Sequence, residues 1–250
     1  MNCYDSFICG ASYRAFGYAL TKENCLIAER GELCDTHFYA PLCCYSYTPY
    51  SPRTPLGREL DNTFRSLGLF TETSQNINGF ESAFCTFLKN KSLDLRLKSR
   101  ILSMTAPNGE NGLWTIRLYT NSGIEQIQAK HLYDTRTAPY AARTLTVLYT
   151  ASDILGTEPL QKIFPGSSTE SAFYPGRYAL YIPAENGRDL NDLRLSIYTR
   201  WKSADIDAKI LAFAPTAGIG GENGIHNPIR AFETGIDEAK AVQKKEGTTV

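Results

Sequence analysis

The sequence predicts an α/β protein, and two segments of its first half carry most of that prediction. In the first segment, an apolar run ends in GASYRA at 10–15, a short helical pattern follows, and a second apolar run, Cys25–Ala28, stops at Glu29. This order of strand, small-residue turn, helix and strand is that of a βαβ unit with parallel strands. In the second segment, residues 93–135, strand-like runs alternate with turn sequences and predict a three-stranded antiparallel insertion, a β-meander.

The turn at 10–15 has the residue types of a dinucleotide-binding motif, here G-x-S-x-x-A. Gly10 permits a tight turn, Ser12 is small enough for backbone N–H groups to approach a pyrophosphate, and Ala15 lets the helix lie close to the sheet. Glu29 follows about 20 residues after Gly10, where a carboxylate can accept hydrogen bonds from a ribose. The motif therefore predicts a bound dinucleotide. A buried βαβ unit with the same small residues and no ligand is the alternative.

Composition narrows the class of protein. Of the 250 residues, 42% are apolar and 21% are charged, which is typical of a globular protein. Lys and Arg together number 26, as do Asp and Glu, so the net charge near zero gives no support for general binding to nucleic acid or anionic membranes. No apolar run approaches the roughly 20 residues of a transmembrane helix, and the N-terminus lacks a signal-peptide pattern. We therefore expect a cytoplasmic protein without nucleic-acid or membrane partners.

Cysteine and histidine do not follow a metal-binding pattern. All seven cysteines lie within the first 85 residues, no C-x-x-C sequence is present, and the three histidines are scattered. The sequence therefore predicts no metal site, and reduced cysteines that pack as small apolar side chains. Cys34, Cys43 and Cys44 follow the second predicted strand, so a redox role for them remains an alternative.

Between the two informative segments, the pattern predicts one long loop and two helices. Residues 32–57 are rich in Pro, Tyr, Ser and Cys without a period and predict an irregular loop. Residues 58–68 and 79–89 have apolar side chains at helical spacing, and Gly68 is a typical residue after a helix end.

The second half of the chain, residues 137–215, is tyrosine-rich and predicts a second, mixed sheet. Its strand-like segments are Arg143–Tyr149, Tyr178–Pro183 and Arg194–Trp201. An apolar strand at 210–214, a glycine-rich stretch and a helix at 228–244 complete the chain. Pro228 fits the first turn of that helix, and Asn227 is the expected N-cap.

Four sequence segments together resemble the FAD-dependent oxidoreductases of the glutathione-reductase-like superfamily, which has two dinucleotide-binding folds. GASYRA at 10–15 and CLIAERG at 25–31 are similar to the phosphate-binding turn and ribose-binding strand. AKHLYDTR at 129–136 resembles the family's A-K-x-V-I-D-A-T-G strand, with Arg136 where that family has a glycine. GIGGENGIHNPIRAFETGIDEA at 218–239 resembles the closing glycine-rich loop and helix, but without a clear match for the family's acidic residue.

The resemblance implies an α/β fold with a Rossmann-like FAD-binding domain that contains the β-meander. This domain would comprise residues 1–136 and 210–250, and a smaller mixed β-rich substrate or cap domain would comprise residues 137–209. The implied cofactor is FAD. The implied cofactor-binding residues are Gly10, Ser12, Ala15, Glu29, Arg30, Ile101, Thr135, Gly220, Gly221, Gly224 and Asn227.

The function implied is that of an FAD-dependent oxidoreductase that transfers hydride between a small-molecule substrate and the flavin. A homo-oligomer is compatible with this function. His226 is a candidate proton donor, and Arg136, Arg143 and Arg177 are candidates for binding a substrate carboxylate. A non-catalytic FAD- or dinucleotide-binding protein that keeps the fold with altered motifs is the main alternative. An NAD(P)-linked reductase without flavin is a third, although the meander and the glycine-rich return argue against it.

Overall fold

The structure is a computed structural model, and its description covers most of the chain. The described residues are 2–31, 33–34, 44–46, 49–72, 74–76, 79–109, 112–136, 143–152, 158–164, 166–171, 173–184, 189–204, 206–216 and 227–247.

Twelve strands and six helices are assigned within these residues. The strands are β1 (Asn2–Cys9), β2 (Cys25–Ala28), β3 (Cys44–Ser46), β4 (Ser74–Asn76), β5 (Asp94–Arg96), β6 (Arg100–Thr105), β7 (Trp114–Thr120), β8 (Gly123–Asp134), β9 (Arg143–Ala151), β10 (Ser167–Glu170), β11 (Arg177–Ala184) and β12 (Ala208–Thr216). The helices are α1 (Tyr13–Ala19), α2 (Pro55–Ser66), α3 (Phe80–Leu88), α4 (Glu158–Ile163), α5 (Leu190–Ser203) and α6 (Pro228–Gly247). In the part of the chain described here, no helix combines the length and the apolar character needed to cross a membrane.

The first sheet has six strands in the order β5-β2-β1-β8-β7-β6. Strands β5, β2, β1 and β8 are parallel, and β8, β7 and β6 pair in antiparallel fashion. The predicted α/β class with a parallel βαβ unit is therefore confirmed, as is the β-meander. β8 belongs to both parts, since it pairs with β7 along its first half and with β1 along its second.

The second sheet has four strands in the order β10-β11-β9-β12, and every neighbouring pair is antiparallel. The prediction of a mixed sheet is therefore wrong for the described strands. The predicted strand at Arg194–Trp201 is also wrong, because these residues lie in α5. The Asp189 carboxylate caps this helix by accepting from the Asn191 amide at 2.7 Å. Leu193, Ile197 and Trp201 then follow at four-residue spacing and are buried on one face.

Strand β12 lies across the domain boundary that the sequence suggested at residue 210. It pairs with β9 from Ala208 to Thr216, so residues 210–216 lie in the second sheet. Helix α6 instead packs against α1, beside the first sheet. In the predicted loop at 32–57, β3 pairs with β4, and α2 begins at Pro55, capped by the Thr54 hydroxyl. Helix α3 agrees with the helix predicted at 79–89.

Three apolar clusters hold these layers together. One face of the first sheet packs on helices in a cluster that includes Phe16, Phe64 and Phe232, and this cluster extends to Leu148 and Tyr181 of the second sheet. The opposite face of the first sheet forms a second cluster with the meander, and α5 covers the other face of the second sheet. The shared cluster joins the two sheets through one core.

Helices α1 and α6 approach until their backbones touch, because each has a glycine at the crossing. A Cβ placed on Gly17 would lie 1.9 Å from the Phe232 carbonyl oxygen, and one on Gly235 would lie 1.9 Å from the Arg14 carbonyl oxygen. The Arg14 guanidinium also pairs with the Glu238 carboxylate, at 2.7 Å from Nε and 2.6 Å from Nη2. Only hydrogen fits at the two glycine positions with the helices at this distance.

A buried carboxylate of α6 holds the start of α2. The fully buried Glu233 side chain accepts from the Arg53 amide at 2.8 Å, the Thr54 amide at 2.6 Å and the Tyr50 hydroxyl at 2.6 Å. Burial alone would raise the pKa of Glu233, but these donated hydrogen bonds outweigh it and hold the pKa below its usual value. Helix α2 is therefore anchored through an acid that is far away in the sequence.

We expect Gly17→Ala and Gly235→Ala each to lower the free energy of unfolding by about 1–3 kcal/mol, because the added methyl group forces the two helices apart. The measurement is urea unfolding followed by circular dichroism. Thr234→Ala, next to Gly235 on α6, is the matched control and should change stability by less than about 0.5 kcal/mol. Equal effects of all three substitutions would contradict the close crossing.

We expect Glu233→Gln to reduce the acid sensitivity of the fold. Because the folded-state pKa is lowered, the carboxylate contributes stability above the ordinary glutamate pKa of about 4.3, and this contribution is lost as the pH falls through the folded-state value. Unfolding free energies measured between about pH 7 and pH 3 should therefore fall less steeply in the variant, which is less stable at neutral pH. Glu23→Gln, at an exposed position, should leave the slope unchanged.

Candidate functional site

The candidate site lies where three parallel strands of the first sheet end. Cys9, the last residue of β1, is in register with Ala28 of β2 on one side and with Asp134 of β8 on the other. The residues that follow these strand ends are Gly10, Glu29 and Thr135, three of the predicted site residues. The sheet therefore brings them to one edge, the usual place for a ligand in an open α/β sheet.

Gly10 makes the turn from β1 towards α1. Its φ of +95° lies in a region that residues with a Cβ rarely adopt, and its amide donates to the Ala28 carbonyl oxygen at 2.8 Å. A Cβ on this residue would lie 2.9 Å from Thr135 Oγ1. Glycine is thus required both by the backbone conformation and by the closeness of β8.

Two hydroxyl groups hold this turn against the end of β8. Ser12 is the N-cap of α1, and its Oγ accepts from the Ala15 amide at 3.1 Å and donates to Thr135 Oγ1 at 3.0 Å. The Thr135 hydroxyl donates in turn to the Cys9 carbonyl oxygen at 3.0 Å. Both hydroxyls are therefore bonded within the protein, so the groups of the turn that could contact a ligand are those of its backbone.

Glu29 braces the turn from the side of β2. The residue is 9% exposed, and its carboxylate accepts from the Ala11 amide through Oε2 and from the Gly31 amide through Oε1, each at 3.0 Å. A carboxylate oxygen has two lone pairs, so each oxygen can accept a further hydrogen bond from a ribose hydroxyl. The side chain therefore has a structural role and keeps the capacity for the predicted one.

Asp134 and Arg136 form an ion pair beside the turn. The guanidinium donates to the carboxylate at 2.9 Å from Nε and at 2.6 Å from Nη2, and the Arg136 amide donates at 3.0 Å. Burial opposes ionisation of Asp134, but these hydrogen bonds hold its pKa below the usual value. Burial, with the Asp134 charge nearby, raises the pKa of Cys9 to about 12, so this thiol is neutral and is no nucleophile.

The backbone of the turn has one amide, that of Ser12, which donates to none of the residues that the structure describes. Ser12 is 1% exposed, and among the described residues none accepts a hydrogen bond from its amide. A buried N–H group without a partner is rare in folded proteins, and a bound ligand is one of its few explanations. The residues at this edge therefore fit the phosphate group of a dinucleotide.

The remaining predicted site residues lie elsewhere or outside the described residues. Ala15 is buried in α1 below the turn, and Arg30 is exposed next to Glu29. Ile101 pairs with Leu118 in the meander and packs in the cluster on the opposite face of the sheet, so it does not join this group. Asn227 caps α6, its Oδ1 accepting from the amides of Ile229 and Arg230 at 2.9 and 3.1 Å. Gly220, Gly221, Gly224 and His226 lie outside the described residues.

Two contacts of the site could not be expected from the motif. One is the pair of hydrogen bonds that the Glu29 carboxylate accepts from backbone amides, and the other is the position of Arg136 against Gly10. The only sequence signal for the second is Asp134 two residues before Arg136, a spacing that allows an ion pair at the end of a strand. Among the described residues, no group of three or more His, Cys, Asp or Glu side chains is arranged to hold a metal ion.

No protein-family model and no curated protein matches the sequence. Solved structures do match the fold. The p-nitrophenol 4-monooxygenase of Pseudomonas putida is 12% identical, with a TM-score of 0.61 over 98% of this chain and 82% of that one. A geranylgeranyl bacteriochlorophyll reductase-like protein of Thermoplasma acidophilum is 12% identical, with a TM-score of 0.62 over 99% and 80%.

A third match is aklavinone-11 hydroxylase, solved as a ternary complex with FAD and aklavinone. It is 12% identical, with a TM-score of 0.50 over 96% of this chain and 62% of that one, so the present chain spans less than two thirds of that hydroxylase. At such low identity the likeness concerns the fold alone. The chain therefore has the fold of a group of structures that includes monooxygenases, hydroxylases and a reductase-like protein, among them one with bound FAD.

We expect Thr135→Val to lower the free energy of unfolding by about 1–3 kcal/mol, because the buried Ser12 hydroxyl loses its acceptor and the Cys9 carbonyl loses a donor. Thr135→Ser keeps the hydroxyl and is the matched control, for which we expect a clearly smaller loss. Urea unfolding at neutral pH measures both. A valine variant as stable as the serine variant would contradict the role of the hydroxyl in holding the turn.

Proposed function

We propose that this protein is an FAD-dependent oxidoreductase. The observation that carries the proposal is the unused Ser12 amide at the Gly10 turn, at the sheet edge where Glu29 and Thr135 also lie. The likeness of the chain's fold to that of a hydroxylase solved with FAD supports the same cofactor. The proposal therefore rests on two independent observations, the geometry of the turn and the fold of the whole chain.

The chain's own residues would hold FAD in distinct ways. The backbone of the turn from Gly10 to Ser12 would donate to the pyrophosphate, and the Glu29 carboxylate would accept from the adenosine ribose. Thr135 would touch no phosphate; through its bonds to Ser12 and Cys9 it would keep the turn in the conformation that presents the Ser12 amide. Bound FAD would supply the oxidation–reduction chemistry, with hydride exchanged between a small organic substrate and the flavin.

The substrate would bind between the first sheet and the smaller β-rich part of the chain, for which the family resemblance implies a substrate or cap role. The names of two of the matching structures give p-nitrophenol for the monooxygenase and aklavinone for the hydroxylase. These names support an organic small molecule as the substrate class. Among the described residues, none has the position and protonation state that would identify it as the acid or base.

A non-catalytic FAD-binding protein is the second candidate, and the altered phosphate-binding motif is the reason to test it. Two of the three glycine positions of the phosphate-binding motif are Ser12 and Ala15, and the Ser12 side chain is fully used inside the protein. Such a protein would bind FAD but would not exchange electrons with a substrate. Reduction of the bound flavin by NAD(P)H, followed by reoxidation, separates the two candidates.

The test is the affinity of FAD for the wild-type protein and for two substitutions at Ser12. Ser12→Ala removes the hydroxyl but keeps the amide, whereas Ser12→Pro removes the amide, and the observed φ of −87° is close to the range that proline adopts. We expect the dissociation constant of FAD to be roughly tenfold or more higher for the proline variant than for the alanine variant, because one hydrogen bond to a charged group is lost.

Quenching of flavin fluorescence measures the dissociation constants, and circular dichroism verifies that both variants are folded. A wild-type protein that takes up no added FAD would contradict the proposal outright. Equal affinity of the two variants would show that the Ser12 amide does not contact the ligand.

A further inference from the structure

We propose that Arg136 binds the diphosphate of the dinucleotide at the Gly10 turn, an inference that rests on the proposed function. The side chain starts directly against the turn. If Gly10 had a Cβ, this atom would lie 3.2 Å from Arg136 Cγ and 3.4 Å from the Arg136 amide nitrogen. The guanidinium thus extends from the same edge as the unused Ser12 amide.

The guanidinium is oriented but not saturated. Its pairing with Asp134 uses two of the five N–H donors, those on Nε and Nη2, so three donors remain for another acceptor. The Arg136 side chain is 45% exposed, whereas the residues of the turn are buried. A planar guanidinium held by a carboxylate on one edge can offer its other edge to phosphate oxygens.

Two carboxylates lie near the turn, and the positive charge of Arg136 can offset their effect on an anionic ligand. Glu29 and Asp134 both bring carboxylates to the strand ends, and a diphosphate bound there would be repelled by both. Arg14, the other arginine near the start of α1, is paired with Glu238. Arg136 therefore provides a positive charge at this edge that can offset the two acids when an anionic ligand binds.

The experiment compares ligands that share parts of FAD. Isothermal titration of FAD, ADP and adenosine into the wild-type protein and into Arg136→Ala measures three dissociation constants for each. We expect the substitution to weaken FAD and ADP by a similar factor, roughly tenfold or more, and to leave adenosine unchanged because it has no phosphate. Arg136→Lys should lie in between, since an ammonium keeps the charge but loses the planar fork.

Arg117→Ala is the matched control, because it removes the same charge from an exposed position in the meander. It should change none of the three affinities by more than about twofold. If Arg136→Ala changes FAD and ADP no more than this control, or weakens adenosine equally, the inference is wrong while FAD binding stands. If the wild-type protein binds neither FAD nor ADP, the proposed function itself is wrong.

Discussion

The close contact between α1 and α6 is the constraint on which the rest of the molecule depends. Gly17 and Gly235 remove the two side chains that would keep these helices apart, and the backbones then meet at van der Waals distance. This position allows α6 to reach in two directions. Glu233 reaches the start of α2, and Glu238 reaches Arg14 of α1 as well as the Tyr133 hydroxyl of β8. One helix thus fixes three other elements around the first sheet.

The sequence predicted the first βαβ unit well because its signals are local. A small-residue turn, a short helix and an acid at the end of the next strand lie within 30 residues, and each has a distinct residue type. The N-cap at Asn227 was predictable for the same reason. Such features depend on the backbone conformation of a few adjacent residues, which the side chains themselves restrict.

Other features depend on partners that the sequence does not identify. Ile197, Tyr198 and Trp201 have the β-branched and aromatic character of a strand. Ile197 and Trp201, however, continue the four-residue spacing of Leu193 and pack with it against the second sheet, so α5 forms instead. The pairing of β12 with β9, and the contact of Thr135 with Gly10, join residues that are far apart in the chain. Which strands pair, and in which register, is set by the packing of the whole molecule.

The pairing of Arg14 with Glu238 spans 224 residues, and this distance has a consequence for how the protein folds. The apolar face of α1 is completed by α6, so the first βαβ unit has an unfinished core until a helix more than 200 residues further along the chain arrives. Contacts between such distant segments require a large loop to close before they stabilise anything, which slows folding. During that interval Phe87 of α3 lacks the ring contact that it makes with Phe232 of α6. Until α6 docks, we therefore expect the N-terminal unit to expose the apolar surface that Ile229, Phe232 and Ile236 cover in the folded protein.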